Sequence, residues 1–233
     1  MQWFAALLFC LSLSAQSLIL KTVVASKPDA YWVTVPNVTI APGNVMIAVV
    51  GIDSVGITGY TWRGAQIVPS TGAANFGKGG RQYTSGVRTF TFISDSLGGT
   101  GDLRFDFSRE SYGIVIAVFE SDVHQQDAGV GAPVNGWAGP TSNPSTGPLP
   151  WQNSTTEFLL SALATEGPGS DAPGSWPSGW TDCGRWGTVG GSAASNITLS
   201  VGCRVVTEYG PYSVSKAGVT PRYWALSLGS YIP

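Results

Sequence analysis

An all-β, two-sheet antiparallel sandwich is the fold class this chain predicts, and three observations predict it. Apolar residues alternate with small or polar ones along Leu103-Arg104-Phe105-Asp106-Phe107-Ser108, along Ile197-Thr198-Leu199-Ser200-Val201-Gly202-Cys203-Arg204-Val205, and along Trp224-Ala225-Leu226-Ser227-Leu228-Gly229. A period of two residues is that of a strand with one dry face and one wet face. Beyond the first seventeen residues no window carries a 3.6-residue apolar stripe, so amphipathic helices are not expected. Finally, turn signals separate the apolar runs at the spacing of sandwich strands.

The expected strands are, in order, Leu18 to Val24, Trp32 to Val35, Val45 to Ile52, Ile57 to Trp62 with Ala65 to Val68, Val87 to Ile93 and Gly101 to Ser108. Gly113 to Glu120, Glu157 to Thr165, Trp180 to Gly184, Ile197 to Thr207, Tyr212 to Ser215 and Arg222 to Tyr231 complete them. Pro28-Asp29, Ala41-Pro42-Gly43-Asn44, Gly98-Gly99-Thr100-Gly101 and Tyr209-Gly210-Pro211 lie between them, each able to reverse the chain. Val45 to Val50 and Ile114 to Phe119 are apolar on both faces, which places them at the centre of a sheet covered on both sides. Pro69 to Gly86, Gln125 to Thr156 and Gly167 to Ser195 read as long Gly- and Pro-rich loops, and loops of that length usually serve function or form arms.

At 233 residues the chain is long enough for one large domain, expected from Leu18 to Pro233. Only 11% of residues are charged, with 12 Lys plus Arg against 14 Asp plus Glu, so no basic footprint suggests a nucleic-acid partner. Gly (31) and Pro (15) are abundant, yet 43% of the residues are hydrophobic, which sets the chain apart from disordered low-complexity sequences. Met1 to Ser17 is an apolar segment with an Ala15-x-Ser17 ending. It reads first as a secretory signal, though it lacks a basic start and is too short to span a bilayer; the other reading is an assembly arm.

There are three cysteines: Cys10, Cys183 and Cys203. Cys183 and Cys203 flank one loop and could pair. Alternatively Cys203, inward-facing by the alternation, is a free thiol acting as a small hydrophobe.

From Val33 onward the order of features resembles a jelly-roll-type β-sandwich module found in phage virion proteins and in bacterial surface or secreted proteins. The residues that carry the resemblance are Val35-Pro36 leading to Ala41-Pro42-Gly43-Asn44 and the Val45 to Ile52 strand, then Ile57-Thr58-Gly59-Tyr60-Thr61-Trp62-Arg63-Gly64. Ala117 to Val123, Val201-Gly202-Cys203-Arg204-Val205-Val206 and Tyr223 to Leu228 follow. Where the family ends a strand with a Ser-Gly-Val-Asp-like turn, this chain has Glu120-Ser121-Asp122-Val123-His124. The resemblance implies a non-catalytic structural or attachment role, by analogy of fold.

Residues suited to catalysis are few. Gly72-Ala73-Ala74-Asn75-Phe76-Gly77-Lys78 resembles a phosphate loop, but Gly79 stands where Ser or Thr would hold magnesium and no helix follows, so it reads as a flexible loop. His124 is the sole histidine, and neither a Gly-x-Ser-x-Gly elbow nor further ligands accompany it, which leaves no triad and no zinc site. No cofactor and no metal are expected. Glu120 with Asp122, or Asp102 with Asp106, could pair as acid and base in a jelly-roll glycoside hydrolase, and Asp122 with Asp127 could hold calcium, without EF-hand spacing. Three sequons start at Asn37, Asn153 and Asn196.

Tryptophan is the richest candidate. Trp137, Trp151, Trp176, Trp180 and Trp186 lie in or beside the loops, where they either stack on a sugar ring or a partner, or fold back as a satellite core. The leading expectation is a non-catalytic virion structural or attachment protein, a capsid decoration or a tail or fibre component. It would be a homo-oligomer that also contacts other virion proteins, with Trp3, Phe4, Leu7 and Leu8 as anchors. The alternative is a secreted carbohydrate-binding or adhesion module that recognises surface glycans through the loop tryptophans.

Overall fold

The computed structural model describes residues 18–27, 31–53, 56–69, 87–94, 97–108, 113–123, 125–126, 134–149 and 156–232. Met1–Ser17, with Cys10 and the four anchor residues, lies outside them, as do the 72–78 glycine loop, His124, Asp127 and Trp151.

The first part of the chain forms β1 (Leu18–Ser26), β2 (Trp32–Ile40), β3 (Val45–Asp53), β4 (Ile57–Trp62), β5 (Ala65–Gln66), β6 (Val68–Pro69), β7 (Val87–Ile93), β8 (Gly99–Phe107) and β9 (Gly113–Ser121). The second forms β10 (Gln125–Gln126), β11 (Val134–Thr141), β12 (Glu157–Glu166), β13 (Pro173–Ser175), β14 (Thr181–Gly187), β15 (Ile197–Val206), β16 (Ala217–Val219) and β17 (Arg222–Ile232). Among the described residues the only helical turn is the short 3-10 turn at Ala193–Ser195.

All strand pairs are antiparallel, in sheets ordered β1-β9-β3-β7-β6, β2-β8-β4-β5 and β10-β17-β12-β15-β14, with β11 also beside β17 and β13 paired with β16. The all-β antiparallel sandwich is therefore as expected. Its layering follows from residue parity. Met46, Ala48, Val50 and Ile52 of β3 and Ile114, Ile116 and Val118 of β9 face one way, into a core closed by Val33 and Val35 of β2 and Leu103, Phe105 and Phe107 of β8. The intervening residues Ile47, Val49, Val115, Ala117 and Phe119 face the other way. They meet Leu160, Ala162 and Ala164 of β12 and Leu199, Val201 and Cys203 of β15.

Every residue of β3 and β9 is consequently buried, in agreement with their apolar sequence on both faces. Their two faces contact two different sheets, so three sheets are stacked where two were expected. A third core lies on the far side of the last sheet, where Leu159, Leu163, Trp224, Leu226 and Leu228 pack against Leu149, Val214 and Val219 of the covering segments.

The expected wet face of β15 lies under that covering layer, and the expected wet face of β17 (Ala225, Ser227 and Gly229) is turned toward the middle sheet, on the side of Ala164, Ala162 and Leu160. Thr198 and Ser200 are 1% and 3% exposed, and β17 is buried without interruption from Trp224 to Tyr231. On β15 small and polar residues suit the covered face because covering segments satisfy them: Thr198 Oγ1 donates to the Gly167 carbonyl at 2.9 Å. Alternation holds on β8, where Leu103, Phe105 and Phe107 are buried between more exposed neighbours. Val205, expected inside, is exposed. Tyr212 to Ser215, expected as a strand, makes only the isolated bridges Leu149 with Tyr212 and Ser145 with Ser215. Conversely β11 lies in a stretch read as irregular.

Candidate functional site

The short ladder β13–β16 sets Ser175 opposite Ala217 and Pro173 opposite Val219. Extended by one residue, that register brings Trp176 and Lys216 face to face, and the Lys216 Nζ lies 4.3 Å from the centre of a Trp176 ring. A turn in which the Trp180 amide donates to the Pro177 carbonyl at 3.1 Å then brings Trp180 back against Trp176. The two indoles stack, with centroids 6.0 Å apart and planes inclined by 23°.

Beneath them lies Gly202 of β15. A Cβ there would sit 2.8 Å from two carbons of the Trp176 indole, so only glycine lets the indole rest on the sheet. Arg204, two residues further along β15, reaches past Gly179 with its guanidinium 5.6 Å from the centre of the Tyr212 ring. The Tyr212 hydroxyl donates to the Glu208 carbonyl at 2.6 Å, and burial raises its pKa.

Lys216 has no solvent exposure, and among the described residues neither its Nζ nor the Trp176 Nε1 has a hydrogen-bond acceptor. Burial lowers the Lys216 pKa to about 8 and Arg185 adds to that effect, while Asp182 opposes it. Arg185 is itself engaged, donating to the carbonyls of Gly169 at 2.5 Å and Asp171 at 2.9 Å. The Asp171 carboxylate is held by Arg222 through bonds of 2.9 and 3.3 Å, which raise the Arg222 pKa.

Cys183 and Cys203 are joined in a disulfide, which settles the alternatives left open by their spacing. Cys183 occupies a bulge of β14, where Asp182 faces Gly202 and Gly184 faces Val201. The bridge thus pins β14 to β15 directly beside the residue on which Trp176 rests.

The five expected tryptophans have separate fates. Trp176 and Trp180 come together, half-buried against the third core. Trp186 is half-buried between sheets, edge-on to Phe119 at 6.2 Å. Trp137 sits on β11 opposite Ala225. Sequence reasoning missed Lys216, Arg204 and Tyr212, because only the ladder register reveals that they converge on Trp176 and Trp180. It also missed Trp32, 48% exposed on a sheet face, with the Arg104 guanidinium 5.1 Å from its ring centre.

Three of the candidate carboxylates, Glu120, Asp102 and Asp106, make structural contacts. Glu120 is 4% exposed; it accepts from Lys21 at 2.7 Å, from Asn44 Nδ2 at 2.7 Å and from the Ala41 amide at 2.9 Å. Burial alone would raise its pKa, but the bonds from Lys21, Asn44 and Ala41 outweigh burial and lower it. Asp102 accepts from the Asn37 amide at 3.0 Å, and Asp106 pairs with Arg104 at 2.7 Å. Among the described residues no three His, Cys, Asp or Glu side chains are placed to share a metal ion. Of the sequons, Asn196 is 1% exposed, and its amide donates to the carbonyls of Gly190 and Ser192 at 2.9 and 2.7 Å, which denies a glycan access.

No helix among the described residues is long and apolar enough to cross a membrane. No protein-family model, curated protein or solved structure matches the chain.

Proposed function

We propose that this chain is a non-catalytic structural or attachment protein of a virion surface, a capsid decoration or a tail or fibre component, that works through contacts between subunits. The observation that carries this reading is the edge of the middle sheet. β1 is its terminal strand, and Ile19 and Leu20 are 49% and 44% exposed at the end where the apolar Met1–Ser17 segment joins it. An apolar strand edge is a template for another chain. Its one charge, Lys21, is withdrawn to Glu120. The jelly-roll resemblance and the engagement of Glu120, Asp102 and Asp106 in structural contacts support the same reading. Light scattering and electron micrographs of the full chain test it: an assembly is expected, lost or weakened in Ile19→Lys and Leu20→Lys. A wild type that stays monomeric at high concentration refutes it.

A second reading, a secreted glycan-binding or adhesion module, is favoured by the Trp176–Trp180 stack with its adjacent cations. The disulfide is consistent with it, since such bonds persist in oxidising compartments. Glycan-array binding that disappears in Trp180→Ala supports it, and an array with no signal sinks it.

A further inference from the structure

Native interiors rarely leave polar groups unpaired, and an unpaired buried ammonium is among the costliest. Here two donors, the Lys216 Nζ and the Trp176 Nε1, lie beside one another with no acceptor among the described residues. Both offer protons and neither can accept one, so what completes them must be an acceptor, and beside an ammonium the strongest acceptor is an anion. The indole stack next to them supplies what a small anion alone would not need. Trp180 is half-buried, and an aromatic face of that kind packs against the C–H face of a pyranose. Arg204, reaching past Gly179 on the same face, adds a second positive charge.

We infer that Lys216, Trp176, Trp180 and Arg204 form a recognition site for an acidic saccharide, a pyranose bearing a carboxylate. The sugar ring lies against Trp180 and its carboxylate takes the protons of Lys216 and Trp176. Because Lys216 is covered, entry requires the β13–β16 ladder to lift from β15, and that ladder is the smallest sheet of the described fold, with only two facing pairs. The inference rests on the glycan-binding reading and gives that site its ligand class.

Tryptophan fluorescence of the full chain, titrated with digalacturonate and with N-acetylneuraminate, tests it, with glucose as the neutral arm and acetate as the sugar-free anion. Saturable binding of at least one acidic sugar is expected, at least tenfold tighter than glucose or acetate. Lys216→Met should weaken it tenfold or more while circular dichroism shows an intact fold. Arg204→Gln should weaken it less. Equal affinity for acidic and neutral sugars, or full affinity in Lys216→Met, overturns the acidic assignment while leaving a glycan site standing. Absence of binding to every sugar overturns both.

Discussion

Replacing Lys216 by Met should make the protein more stable, and the gain should fade at alkaline pH. Its ammonium is wholly buried, and its pKa falls from the ordinary 10.5 to about 8. At about 1.4 kcal/mol per tenfold change in proton affinity, keeping the charge inside costs about 3 kcal/mol. The sign follows from which state holds the proton. Below pH 8 the lysine is charged both folded and unfolded, and the whole cost is present. Between pH 8 and 10.5 the folded state gives up its proton while the unfolded state keeps it, so stability rises with pH. Above 10.5 both states are neutral and the cost has gone. Lys216→Met should therefore exceed wild type by about 2–3 kcal/mol at pH 7, or roughly 5–10 °C in Tm for a chain of this size. Urea denaturation of both proteins at pH 7, 8, 9 and 10.5, followed by tryptophan fluorescence, measures the difference. A difference that stays constant with pH, or a variant less stable than wild type at pH 7, refutes the reasoning.

Three further outcomes are expected. The Cys183–Cys203 bridge closes a loop with a sequence separation of 20 residues, and replacing both cysteines by Ala should cost about 3 kcal/mol in thermal or urea unfolding. Glu120→Gln should cost about 1–3 kcal/mol at pH 7, since it removes the charge from three part-buried hydrogen bonds. Because the folded-state pKa of Glu120 is depressed, its contribution is present above 4.5 and is lost as the pH falls through the folded value. The gap between the Glu120→Gln variant and wild type should accordingly close in acid melts. Gly202→Val should lift Trp176 from β15, seen as a change in near-ultraviolet circular dichroism, while the core strands retain their far-ultraviolet signal.

How much of this was legible in the sequence differs from strand to strand. β3 and β9 announce burial on both faces, because unbroken apolar runs such as Val45 to Val50 have no side fit for water. β15 does not. Its even positions, Thr198, Ser200 and Gly202, are small or polar, and alternation reports side-chain polarity but not whether another layer covers that side. Nothing local says that Trp176, which precedes β14 in the chain, will come to rest on Gly202. β11 went unread for the opposite reason: Gly136, Gly139 and Pro140 give it little strand propensity, and pairing with β17 makes it a strand. The tryptophans were visible as a class, but their sorting into core, stack and exposed face was set by register between distant segments. Lys216 was invisible for the same cause, since its neighbours in sequence predict an ordinary exposed turn lysine.

The position of that lysine bears on function more than on folding. A stable sandwich gains nothing from an ammonium held away from water at a cost of about 3 kcal/mol, when a methionine of similar length would fill the same space. Buried groups that cost stability without a structural return concentrate at sites where binding recovers the loss. Two carboxylates of this fold show the contrast. Glu120 and Asp171 are also drawn inward, and each is met by donors that account for its place. Lys216 is met by an aromatic face that offsets only part of the loss, since a cation–π contact is worth about 0.5–2 kcal/mol. An anion arriving at Lys216 would find its desolvation already complete, and would bind more tightly for that reason than at an exposed lysine.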